Sequence, residues 1–121
     1  MHIEDLEQIC KAMPGVTEDI KWGNDLVFSV GGKMFCVARL NESPVSASFK
    51  VTDEEFDEMS SRSGFKPAPY VAKYKWVMID DISKMNKAEW KKYVNQSYSL
   101  VKEKLPAKVK KQLNDKASTK K

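Results

Sequence analysis

The chain has 121 residues, of which 41% are hydrophobic and 31% are charged, and its net charge is +4. This composition is typical of one soluble globular domain that builds its core without disulfides or metal. No apolar run is long enough to span a bilayer and no secretory-type start is present, so we expect a cytoplasmic protein without a membrane partner.

An amphipathic helix is predicted over residues 2–13 and ends at Pro14–Gly15. Its apolar residues recur at the spacing of one helix face: Leu6, Ile9, Cys10 and Met13. The two cysteines, Cys10 and Cys36, have neither metal-ligand nor redox-motif spacing, so we expect buried thiols. The only histidine, His2, has no orienting partner in view, and we expect no catalytic or metal role for it.

The strongest local signal is a β-hairpin over residues 26–40. Two apolar runs flank Gly31–Gly32, and glycine adopts the positive φ that both central positions of a type I′ turn require. Such a turn sets a register in which Phe28 faces Phe35 on the expected core side. The other side is fairly apolar for a solvated surface and is a candidate partner or dimer face, made of Val27, Met34, Cys36 and Ala38.

The next elements alternate between strand and helix signals. Residues 16–22 alternate weakly as an edge strand, and residues 45–49 alternate clearly as a third strand. Thr52 and Glu55 form a capping box, which predicts a helix beginning at Asp53. Two prolines predict a stiff loop over residues 65–70, and an apolar run predicts another strand over residues 76–79.

The clearest helix begins after Asn86 and extends to Leu105, with apolar residues spaced three and four apart. Pro106 ends it or starts a short basic helix anchored by Val109 and Leu113. Because the strands come in runs, a doubly wound parallel fold is excluded. We predict an α+β two-layer sandwich, with an antiparallel-rich sheet of about five strands and the N- and C-terminal helices packed on one face.

Positive charge is concentrated at the end of the chain. The last twenty residues contain eight lysines and two acidic residues and carry +6, so the other 101 residues carry −2. We assign residues 1–113 to a single domain and expect residues 114–121 to be a disordered, lysine-rich tail. This tail either raises affinity for a polyanion through counterion release or only keeps the chain soluble.

Aromatic and basic residues also interleave between residues 70 and 76, a composition suited to base stacking and phosphate contact. No base-reading helix is evident, so contacts to nucleic acid would come from lysines and would carry low sequence specificity. The candidate nucleic-acid-binding residues are Lys33, Lys66, Tyr70, Lys73, Tyr74, Lys75, Lys108, Lys110 and Lys111.

Several segments together resemble the MmcQ/YjbR family: Pro14 to Asp19, Trp22 to Asp25, Val27 to Phe35, Lys73 to Trp76 and Tyr98 to Pro106. The resemblance extends to about Leu113. It implies a fold similar to the bacterial frataxin CyaY, also described as secretion-chaperone-like. Because members are commonly labelled DNA-binding, it also implies a small non-enzymatic DNA-binding protein, and it supplies no catalytic residues.

Alternatives to DNA binding remain open. The apolar sheet face could serve a protein-interaction or chaperone-like module, including a homodimer. The frataxin-like fold implies iron binding through acidic residues, namely Glu4, Asp5, Glu7, Glu18 and Asp19. An enzyme is not expected, because the serines lack a histidine base, although a site built from Asp25, Arg39 and tyrosines is left open. We expect no cofactor, no metal and no small-molecule substrate.

Overall fold

Six β-strands form one sheet in the computed structural model, which describes residues 2–69 and 71–112. The strands are β1 (Val16–Lys21), β2 (Asp25–Val30), β3 (Lys33–Arg39), β4 (Ser46–Lys50), β5 (Phe65–Pro67) and β6 (Trp76–Ile79). The helices are α1 (Ile3–Lys11), α2 (Asp53–Ser60) and α3 (Lys87–Glu103), with 3-10 turns at Ala72–Tyr74 and Ile82–Lys84. The sheet order is β1-β2-β3-β4-β6-β5, and every neighbouring pair is antiparallel. The predicted α+β sandwich is confirmed.

The strand β5 was not predicted, because its residues belong to the segment interpreted as a proline-stiffened loop. It pairs only with β6 and therefore forms an edge of the sheet. An edge strand has one side without ladder bonds, so Pro67, which lacks a backbone N–H, is tolerated there. The predicted count of about five strands is therefore one too low.

The β2–β3 hairpin is confirmed, but its predicted register holds only next to the turn. Beyond the Ser29–Met34 pair a bulge makes Phe35 an extra residue, and Phe28 then faces Cys36. A bulge shifts all later pairs by one residue and exchanges the faces of the strand. The expected exposure of Cys36 and Ala38 is therefore wrong, since both are fully buried in the main core.

The main core lies between the sheet and the helices. Phe28 and Phe35 are fully buried there, as predicted. On α3, the ring of Tyr98 meets Phe35 edge-on at 5.5 Å between centroids, and Trp90 meets Phe49 at the same distance. The α3 helix begins as its sequence indicates, because Asn86 and Glu89 form a reciprocal capping box. Residues of α1, α2 and α3 all pack against this main core, so none of these three helices covers the opposite face of the sheet, which we call the outer face.

The chain beyond α3 is described only in part. Residues 107–112 are helical, and Val109 packs against the main core, as expected of an anchor of a short basic helix. Leu113, the tail assigned to residues 114–121 and Tyr70 lie outside the described residues. Over the residues that are described, no helix combines the length and apolarity needed to cross a membrane.

Candidate nucleic-acid interface and outer groove

Several separate segments converge at one end of the sheet. The register places the Gly31–Gly32 turn, the end of β4 and the β5–β6 connection at this same end. The helix α3 also runs toward it, because Tyr98 donates from its hydroxyl to the carbonyl oxygen of Pro14, just before β1. We call this region the basic end and define it as residues 31–33, 50–55, 68–69, 71–75 and 97–112.

The residues after α3 are held against the hairpin turn by close packing. A Cβ atom at Gly31 would lie 2.6 Å from Leu105 Cδ1 and 2.9 Å from Val109 Cγ1. Real Cβ atoms do not approach other atoms so closely, so a larger residue at Gly31 would force the side chains of Leu105 and Val109 to shift. The packing brings the lysines of residues 102–111 beside the hairpin tip.

Lysine dominates the charge of the basic end. Over its described residues nine lysines accompany four acidic residues, Asp53, Glu54, Glu55 and Glu103. The lysines are Lys33, Lys50, Lys73, Lys75, Lys102, Lys104, Lys108, Lys110 and Lys111. Six of them were predicted as nucleic-acid contacts, and the fold brings those six together from three distant parts of the sequence.

Tyr74 is an exposed aromatic residue of this region. Its side chain is 55% exposed, and Lys73 Nζ lies 5.1 Å from the centre of its ring. Lys75, by contrast, is half-buried with Nζ 5.1 Å from the ring of Phe56. An exposed ring with an ammonium group beside it can stack on a base while the ammonium group contacts a phosphate.

Lys50 was not among the predicted residues, and its surroundings show that the lysines lie close enough to repel. Its backbone N–H donates to Ser97 Oγ at 2.9 Å, and its ammonium group donates to the carbonyl oxygen of Tyr74. Burial lowers the pKa of Lys50, the charges of Lys104 and Lys75 lower it further, and Asp53 opposes them. A bound anion would relieve this repulsion.

Lys66 lies apart from the basic end. It is exposed on β5, opposite Met78, on the outer face of the sheet, away from α1, α2 and α3. Sequence alone grouped it with Lys73 and Lys75 because the three are near in the chain. A groove lies on this same outer face, but Lys66 is not one of its lining residues.

The outer groove has a volume of about 460 Å³. Its lining residues come from four strands and two connections: Trp22, Asp25, Met34, Val37, Arg39, Ser48, Pro69, Val71 and Trp76. Strands β3, β4 and β6 supply the floor. The segment after β5 forms one wall and the β1–β2 turn forms the other. Sequence analysis included Asp25 and Arg39 in an open alternative and assigned no binding role to Trp22.

Two polar residues mark the far end of the outer groove. Asp25 and Arg39 are directly opposite each other on β2 and β3. Arg39 Nη1 lies 3.9 Å from Glu42 Oε1, a long contact between exposed groups, and no ion pair joins Asp25 to Arg39 among the described residues. Both a hydrogen-bond donor and an acceptor are therefore available at this point.

Most residues of the predicted partner face are buried. Cys36 and Ala38 belong to the main core, and Val27 is buried on the outer face. Met34 alone of the four remains half-exposed, and it lines the outer groove. The alternative of a protein-interaction module therefore has one of its four expected contact residues available.

An acidic pocket of about 400 Å³ lies between α1 and β1. The neighbouring Glu18 carboxylate raises the pKa of Glu7, and slight burial adds to the effect. The acidic residues proposed for iron meet here in part, but Asp5 instead accepts from the His2 backbone at 3.0 Å. Among residues 2–69 and 71–112, no group of three or more His, Cys, Asp or Glu residues is arranged to hold a metal ion.

Comparison with known proteins gives one family and two similar structures. The YjbR family model matches residues 11–100. A Deinococcus radiodurans crystal structure with a DUF419 domain is 23% identical, with a TM-score of 0.82, over 93% of this chain and 87% of that chain. A Pseudomonas syringae structure is 16% identical, with a TM-score of 0.65, over 83% and 97%. At these identities the likeness concerns the fold. No curated protein matches the sequence.

Proposed function

The chain belongs to the YjbR family, and we propose that it is a non-enzymatic DNA-binding protein that contacts phosphates through its basic end. The observation that supports this proposal is the convergence of nine lysines and four acidic residues at one end of a chain whose first 101 residues carry a net negative charge. The fold therefore concentrates positive charge at one end of the sheet, and the composition alone does not determine this. A surface of this kind favours a polyanion.

Binding of this kind draws its free energy from counterion release. Each neutralised phosphate of duplex DNA contributes about −0.9 to the slope of log K against log salt concentration. If five of the nine lysines contact phosphates, the slope is about −4.5. Lysine side chains contact phosphates without reading base edges, so different sequences should bind with similar affinity.

Fluorescence anisotropy with a labelled duplex at several salt concentrations tests the proposal. The variant Lys33→Ala/Lys73→Ala/Lys108→Ala removes three exposed lysines of the basic end. We expect affinity to fall by about tenfold or more and the salt slope to weaken by about 2 to 3.

The matched control is Lys84→Ala/Lys87→Ala/Lys91→Ala, which removes the same charge at the opposite end of the sheet and the start of α3. Two of these lysines form exposed ion pairs, which contribute little to stability. We expect its affinity to stay within about twofold of the parent, since no phosphate contact is removed. Absence of binding at about 50 mM salt, or equal losses in the two triple variants, would contradict the proposal.

A further inference from the structure

Trp22 has no evident structural role that accounts for its position. It is 69% exposed, and its φ of +50° lies in the left-handed region that bulky residues rarely adopt. The next residue, Gly23, has a φ of +93°. Two successive residues of the β1–β2 turn therefore have positive φ. Backbone strain combined with an exposed indole is a feature that occurs at binding sites.

The surface beside Trp22 suits a flat, partly polar ligand. The outer groove has an apolar floor that includes Val37 and Trp76, and its polar groups are Asp25, Arg39 and Ser48. A volume of about 460 Å³ lies within the roughly 300–1,000 Å³ typical of small-ligand sites. A nucleobase has a π-face for stacking and an edge that both donates and accepts hydrogen bonds, and it matches this combination.

The position of the outer groove connects it to the basic end. Its wall residues Pro69 and Val71 belong to the same connection as Lys73 and Tyr74, and its floor residue Met34 follows Lys33. A strand whose phosphates lie on those lysines therefore has a base within reach of the groove. Further cations stand on the outer face, since Lys21, Arg39 and Lys66 accompany Asp19 and Asp25 there. Three cations against two acidic residues leave a net charge of +1, which attracts an anionic strand weakly and does not favour an apolar protein segment.

We propose that the outer groove binds an unpaired base of single-stranded DNA, with Trp22 stacked against it. This inference rests on the proposed DNA binding and adds a preference for single strands. In a duplex every base is stacked and paired, and extruding one costs free energy that a single strand does not lose. The basic end holds both forms through phosphates, and the groove adds affinity only for the single strand.

The test compares a 12-nucleotide single-stranded DNA with a duplex of the same sequence, for the parent protein, Trp22→Ala and Trp22→Phe. Loss of one stacked base lowers affinity by about tenfold. We therefore expect Trp22→Ala to lose about tenfold for the single strand and less than twofold for the duplex, and Trp22→Phe to retain most of the affinity. Ile20→Ala is the matched control, because Ile20 is similarly exposed on the adjoining strand β1, opposite the core residue Leu26, and does not line the outer groove.

Intrinsic fluorescence gives an independent readout. Trp76 and Trp90 are buried, so Trp22 is the exposed indole of the chain. Single-stranded DNA should quench the long-wavelength part of the emission, and Trp22→Phe should remove that quenching while the fold, followed by circular dichroism, is unchanged.

The possible failures are distinguishable. Equal binding of single strand and duplex, together with an unaffected Trp22→Ala, would overturn the groove assignment and leave DNA binding at the basic end intact. A Trp22→Ala variant that changes the molecular mass in light scattering would assign the groove to a second copy of the chain, and this also overturns the inference. If neither DNA form binds at about 50 mM salt, the proposed function fails first.

Discussion

Replacing Ser97 by alanine should destabilise the fold far more than the loss of one hydroxyl group suggests. Ser97 is fully buried on α3, where its Oγ accepts from the Lys50 backbone N–H at 2.9 Å and donates to the Phe35 carbonyl oxygen at 2.6 Å. Phe35 is the extra residue of the β3 bulge, so its carbonyl lies at an interruption of the strand ladder. Alanine would leave both backbone groups buried without this partner.

Each unsatisfied buried group costs about 1–3 kcal/mol, so we expect a loss of about 2–4 kcal/mol in the free energy of unfolding. With about 2.1 cal/mol/K of unfolding entropy per residue, 1 kcal/mol shifts the melting temperature by about 4 °C in a chain of this length. Thermal melts followed by circular dichroism should thus show a fall of about 8–16 °C. The control is Ser99→Ala on the exposed side of α3, for which we expect a change within about 0.5 kcal/mol. Equal melting temperatures for the two variants would refute the bridging role of Ser97.

Three further predictions concern stability and reactivity. Gly31→Ala should destabilise the fold by more than Gly32→Ala in urea titrations, because both have positive φ but only the Gly31 site is closely packed; equal costs would contradict the packing argument. Glu7→Gln should raise the melting temperature at pH 7 and lose that gain below the ordinary glutamate pKa of 4.5, because Glu18 raises the pKa of Glu7 in the folded state and so favours its protonated form. A melting temperature lowered at pH 7 would show that the two carboxylates do not repel. Cys10 is buried with a raised pKa, so a thiol reagent should label it only as fast as the protein unfolds.

The elements that local sequence patterns determine were predicted correctly. The glycine pair specified the hairpin, and the capping boxes at Thr52 and Asn86 specified the starts of α2 and α3. The resemblance to the YjbR family, drawn from dispersed segments, is confirmed by the family match. In each case the signal lies within a few residues, or in a set of short motifs, and does not depend on how distant parts of the chain meet.

The register of the hairpin could not be predicted, because the bulge depends on contacts from elsewhere in the fold. The turn specifies the pairs next to it, and those pairs are correct. Beyond them, the hydroxyl of Ser97 holds the Phe35 carbonyl from α3, more than sixty positions away in the chain. A one-residue shift exchanges the two faces of β3, which is why the interface assigned to Cys36 and Ala38 was wrong.

Six of the nine lysines of the basic end were predicted as contacts, but their arrangement at one end of the sheet was not. Lys33, Lys73 and Lys108 are ordinary surface lysines when each is considered within its own segment, and only the antiparallel register brings their segments to one end of the sheet. Lys50 gave no signal at all, since a lysine in an alternating strand is expected on a solvated face. The outer groove forms only where β3, β4 and β6 lie side by side, and no local sequence pattern predicts that strand order.

The same packing that closes the core also holds the like charges of the basic end together. Ser97 fixes the backbone of Lys50, and Leu105 and Val109 hold the residues after α3 against Gly31. In that arrangement burial lowers the pKa of Lys50, and the charges of Lys104 and Lys75 lower it further. A chain selected for stability alone would gain by spreading these charges or by adding acidic residues among them. In the proposed complex with DNA, phosphates would lie among these lysines and relieve the repulsion between their charges.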